Sequence, residues 1–182
     1  MKNVPIIHDS FTKKDLLAQF DIYAEEMVAF YESLPLDMFR SKSSVPGWTI
    51  EKNYKHICGS TKIFYFMFFI PKFIFKLFGK PKNPQLKIKD FGPPTERPDA
   101  ILGKYVGKGE ISVKERDKIT EKWRNINRKF RSKIEKFSEE DLENTNTPIA
   151  GYNLRQIVLF VMLHNIHHAN IVRKRLEDSN LV

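Results

Sequence analysis

Four stretches of this chain carry apolar residues at helical spacing, and proline stays out of all four. That pattern predicts helices and no strand. Thr12 and Asp15 read as a helix start, with aspartate in the glutamate position of a capping box. Leu16, Leu17, Phe20, Tyr23, Ala24, Met27, Phe30, Tyr31 and Leu34 follow on one stripe. The spacing predicts a first helix over 13–34, stopped by Pro35. Thr49 is the expected N-cap of a second helix over 50–69, where Pro71 breaks the hydrogen-bond ladder. Ser112-Val-Lys-Glu115 is a capping box that opens a third helix over 113–137. The SEEDLENTNTP segment reads as a short turn-rich link, and Asn153 caps a fourth helix over 154–177.

Between the second and third helices, residues 71–111 contain six prolines and five glycines. A connection of this length is far beyond the usual handful of residues. It is long enough to cross a helix bundle, so the helices it joins can lie parallel. The expected fold is all-α: a single domain over 1–182, built as a four-helix bundle with a long Pro/Gly-rich crossover between helices 2 and 3.

The length of 182 residues suits one core, and 41% hydrophobic with 13% aromatic content fits a globular chain. Cys58 is the single cysteine, so no intrachain disulfide forms, which fits a reducing, cytoplasmic setting. The N-terminal residues lack the apolar run of a signal peptide, and no uncharged apolar stretch has the length of a membrane span. Net charge is +9, but the excess is local. Nine lysines and no acidic residue fall between Lys52 and Lys89, while the rest of the chain balances at 22 basic and 22 acidic. Nucleic-acid binding is ranked last, because it ordinarily draws a basic face from several elements and favours arginine.

Three of the five histidines cluster in the fourth helix. At 100° per residue from Leu154, His164 and His168 fall at about 280° and 320°, inside the apolar face, and His167 at about 220°, on its flank. The i, i+4 spacing stacks His164 and His168 about 6 Å apart along the axis, where two imidazoles can converge on one ion. In the second helix, His56 sits at the edge of the half that carries Ile57, Ser60, Ile63, Phe64 and Met67, with Lys52, Lys55 and Lys62 opposite. His56 is therefore the candidate third ligand. Core packing with a satisfied hydrogen bond is the alternative reading of each histidine.

The segments PGWTIEKNYKHI and LHNIHHANIVRKRL resemble the DinB-like superfamily, also called DinB/YfiT-like, which shows a Gly-Trp-Ser/Thr helix start, a histidine soon after it and a late HxxxH. Here these are Gly47-Trp48-Thr49, His56, and His164 with His168. The resemblance implies an up-down-down-up four-helix bundle and a three-histidine site for a divalent metal, commonly nickel or zinc. It also implies a metal-dependent enzyme acting on a small molecule, as a thiol S-transferase or hydrolase, since characterised members include transferases of low-molecular-weight thiols. The general base and the substrate are not implied. Trp48 and His167 are the candidate pocket residues; Asp21, Glu25 and Glu26 are read as surface carboxylates, and Cys58 as buried filler.

The aromatic segment FYFMFFIPKFIFKLFGKPK departs from the family pattern. Residues 63–69 read as core aromatics with exposed lysines. Lys72, Phe73, Phe75, Lys76 and Phe78 form a candidate contact with a membrane surface or with a second copy in a homodimer. The alternative function is accordingly a non-catalytic membrane or protein-interaction module using residues 63–89.

Overall fold

The computed structural model describes residues 1–41, 48–91 and 110–178. Six helices form among them: α1 (Lys13–Glu32), α2 (Ile50–Met67), α3 (Lys72–Phe75), α4 (Val113–Glu135), α5 (Glu139–Asn144) and α6 (Leu154–Asp178). Short 3₁₀ turns lie at Leu36–Arg40, Lys76–Phe78 and Ile88–Asp90. The predicted caps are in place. Thr12 and Thr49 accept from the amides of Asp15 and Lys52, and Ser112 and Glu115 form a reciprocal box. At α6 the amide of Gln156 donates to Asn153 Oδ1 and the amide of Asn153 donates to Gln156 Oε1, at 2.8 and 2.9 Å. Gly151, just before this cap, has φ +75, and an added Cβ would meet Lys82 at 3.0 Å.

Four long helices pack in a ring, α1 beside α4, α4 beside α2, α2 beside α6 and α6 beside α1. Paired residues give their senses. Asp21, Ala24 and Glu32 of α1 meet Arg131, Trp123 and Arg124 or Arg116 of α4, so these two run antiparallel. Tyr54 meets Thr120 while Phe68 meets Phe130 and Phe137, so α2 and α4 run parallel. His56 meets His164 while Phe64 meets Phe160, so α2 and α6 are antiparallel. These senses are those of an up-down-down-up bundle. The shared core holds Phe20, Tyr23, Tyr31, Tyr54, Trp123 and Phe130, all almost fully buried.

The crossover bends rather than extending α2. The axis turns by 93° between α2 and the segment Lys72–Phe78. This bend corrects the reading of Phe75 as a membrane or partner contact: its ring is 2% exposed and packs in the core, whereas Phe73 and Leu77 point outward at 69% and 81%. Residues 63–69 are likewise only partly core, because Ile63 and Phe66 of α2 and Phe69 just past its end are exposed. Further on, Asn83 and Pro84 carbonyls accept from Gln156 and Asn153, which ties the crossover to the start of α6. Gly47 and residues 92–109 of the crossover lie outside the described residues. The SEEDLENTNTP link holds one helix, α5, opened by a reciprocal Ser138–Asp141 box.

Candidate metal centre

The site lies where the first turns of α2 meet the middle of α6. His56 is seven residues past the Thr49 cap, and the antiparallel packing sets it against His164 and His168. The Nε2 atoms of His56 and His164 are 3.1 Å apart. Ring centroids are 4.5 Å apart for His56 and His168 and 4.7 Å for His164 and His168. One nitrogen from each of the three lies within 4.8 Å of the others, a group that can hold a metal ion. Two nitrogen–metal bonds of about 2.0–2.1 Å, meeting between a right and a tetrahedral angle, hold their nitrogens about 2.9–3.4 Å apart. The His56–His164 spacing falls within that window. Two imidazole nitrogens this close share either a proton or a cation.

His168 is oriented by a residue that the sequence analysis passed over. The Nδ2 group of Asn53 donates to the carbonyls of Trp48 and Thr49 at 3.1 and 3.0 Å, which turns its Oδ1 toward His168 Nδ1 at 2.9 Å. Nδ1 must then carry the proton, leaving the lone pair on Nε2. Burial lowers the pKa of His168 to about 3, aided by the neighbouring His164, His56 and His167. Burial, then His56 and His167, lowers His164 to about 4. His56 is lowered by burial and by Lys52. All three rings are thus neutral at neutral pH, the form that ligates metal.

The model of the DinB superfamily matches residues 14–172 of this chain, all three histidines included. The chain belongs to the DinB superfamily. A search of the curated proteins returned no match, and neither did a search of the solved structures. The DinB superfamily is metal-associated, and the histidine group of this DinB-superfamily chain supplies a suitable donor set.

Trp48 walls the cluster, edge-on to His56 at 4.9 Å and stacked on His168 at 5.9 Å. Lys52 Nζ lies 5.0 Å over the indole, and Arg175 donates to the Trp48 carbonyl. Phe160 stacks on His164, continuing a row of rings through Tyr152 to Phe91 of the crossover. His167 stands beside His168, 5.7 Å between centroids, and is not part of the ligand group. Cys58 points to α4, with Sγ 4.0 Å from the Ile119 carbonyl, and burial pushes its thiol up to about 12. A thiol so held is no nucleophile at neutral pH. Asp21 and Glu25 pair with Arg131 and Arg124 of α4, and Glu26 is exposed. The Lys72, Phe73, Lys76 and Phe78 group belongs to the opposite end of α2.

Proposed function

We propose that His56, His164 and His168 hold a divalent metal ion, nickel or zinc, and that the protein is a metal-dependent enzyme acting on a small molecule. Thiol transfer and hydrolysis are the reaction classes that the family resemblance supports. The observation that carries this reading is the convergence of three neutral imidazoles from two antiparallel helices. Among the described residues the group has three members and no acidic or cysteine side chain. Three protein ligands leave room for water or substrate, in contrast to the four-ligand closure of structural zinc sites. The chemistry supplied by such an ion is Lewis acidity, which lowers the pKa of a water or thiol ligand toward neutrality.

The chain's own residues have separate tasks. Asn53 fixes the His168 tautomer and ring plane. Trp48 covers two of the rings and excludes water from one side. Lys52, above the indole, places positive charge at the rim, which favours an anionic substrate.

The test is metal analysis of protein purified without a histidine tag, followed by a screen of the metal-loaded protein against pairs of thiols and electrophiles. Bound nickel or zinc near one per chain, with thiol consumption that depends on it, is the expected result. Protein that binds neither ion overturns the proposal.

A further inference from the structure

The end of α2 remote from the histidines carries a surface that the metal centre does not use. Ile63 and Phe66 of α2 and Phe69 just past its end are 71%, 55% and 52% exposed, and Phe73 and Leu77 of the bent segment are exposed as well. Single exposed apolar residues are ordinary, but a contiguous group marks an interaction site. Ring contacts join the members at the end of α2. Phe66 and Phe69 centroids are 6.4 Å apart, and Tyr65 lies 5.0 Å from Phe69. Lys133 stands 4.0 Å over Phe69 and 5.9 Å over Phe137, and Lys72 stands 5.8 Å over that same Phe137. Beside this patch runs an open groove of about 390 Å³, lined by Tyr65 and Phe69 with Arg128, Lys129, Lys133 and Lys136.

We infer that this surface docks on an anionic phospholipid bilayer, with the phenylalanines in the interface and lipid phosphates against the basic groove. Its composition fits an interfacial site, in which apolar side chains enter the headgroup boundary and flanking lysines meet anionic lipid. Lys62 over Phe66 and Lys133 over Phe69 place cations at the level of the rings, so both contacts engage together. Acidic side chains flank the patch on α5, where Asp141 pairs with Lys72 at 2.6 Å. Of the four basic groove residues, Arg128, Lys129 and Lys133 come from α4 and Lys136 caps its end; none of them takes part in that pair.

Charge decides between a bilayer and a second copy. A two-fold dimer through this face would set the same basic rim against itself, whereas a bilayer supplies the opposite charge. Among the described residues no single helix is long and apolar enough to cross a membrane; α2 and the bent segment Lys72–Phe78 together have the length and composition, but α2 is packed in the bundle against α4 and α6, so the contact inferred is peripheral. His56 is thirteen residues before Phe69, about 20 Å along α2, so docking leaves the histidines clear of the lipid.

Flotation with vesicles tests this. The full chain is mixed with pure phosphatidylcholine vesicles, or with vesicles in which a third of the lipid is phosphatidylglycerol. Binding to the anionic vesicles at least about tenfold above the neutral ones, weakening as salt rises, is expected. The exposed positions allow a Phe66→Ser, Phe73→Ser, Leu77→Ser variant and an Arg128→Gln, Lys129→Gln, Lys136→Gln variant, each checked by circular dichroism. The first should lose binding to both vesicle types, and the second should lose the anionic preference. Absence of parent binding to anionic vesicles overturns the inference, with or without the variants. So does sedimentation showing a dimer that the serine variant dissociates while vesicle binding is unchanged.

Discussion

Asn53 Oδ1 accepts a hydrogen bond from His168 Nδ1 at 2.9 Å, and the other end of the same amide is anchored to the backbone just before and at the α2 cap. One buried asparagine therefore couples the start of α2 to the ring plane of a histidine on α6.

That coupling predicts a role in affinity rather than in ligation. Removing a group that orients a ligating histidine typically costs about 10–100-fold in metal affinity. Asn53→Ala should weaken zinc or nickel binding by that amount, read by competition with a chelating dye. Asn53→Asp keeps an acceptor for His168 but sets a carboxylate oxygen against the Trp48 and Thr49 carbonyls, so it should recover only part of the affinity. Equal affinities for parent and both variants would show that this contact does not tune the site.

The ligands themselves should behave differently. His56→Ala, His164→Ala and His168→Ala should each lower bound metal sharply while leaving helicity almost unchanged, because all three rings are only half-buried. Metal at about 100 times its Kd should stabilise the parent by about 2.7 kcal/mol. For a chain of this size that is a melting-temperature rise of about 5–10 °C, and each variant should lose it. Undiminished metal content in all three would remove the site assignment.

The contrast between these residues shows what the sequence could reveal. His164 and His168 were legible because an i, i+4 pair on an apolar stripe has a fixed geometry within one helix. His56 was legible as the third member because it falls at the edge of the half of α2 that faces away from Lys52, Lys55 and Lys62. Asn53 was not, since a polar residue in the first turn of a helix is ordinarily solvated, and only the approach of α6 buries it. Phe73 and Phe75 are indistinguishable by composition; the bend after α2, a tertiary feature, sends one to solvent and the other to the core. The box at Ser138 and Asp141 was readable, but α5 is too short to show an apolar period.

Acid should destabilise the metal-stripped protein through the histidines. Their folded pKa values lie below the ordinary 6.5, at about 4 for His164 and about 3 for His168. The unfolded chain then binds more protons than the folded one between these values and 6.5, so stability rises with pH in that window. The contribution is fully present above about pH 6.5 and is lost as pH falls through the folded values. Urea titrations of the stripped parent across this range should show the decline, and the His164→Ala, His168→Ala double variant should flatten it. A parent slope unchanged in the double variant would assign the decline to carboxylates such as Glu51, which Arg40 holds below the usual range.

Two core tyrosines should respond oppositely to loss of the hydroxyl. Tyr23 OH accepts from Asn165 Nδ2 at 2.8 Å, and that amide also donates to Thr61 Oγ1 at 2.9 Å, joining α1, α2 and α6 one residue from His164. Tyr31 stacks on Tyr54 at 3.9 Å, and its buried hydroxyl has no hydrogen-bond partner among the described residues. Burial of an unpaired hydroxyl costs more than the hydroxyl returns, while a satisfied one contributes about 1 kcal/mol. Tyr23→Phe should thus lower the melting temperature by about 2–4 °C, and Tyr31→Phe should raise it by a similar amount. Calorimetry on the two variants checks the signs. Because the Tyr23 bond also sets the height of α6 at the metal site, Tyr23→Phe should weaken metal binding as well, and Tyr31→Phe should leave it unchanged.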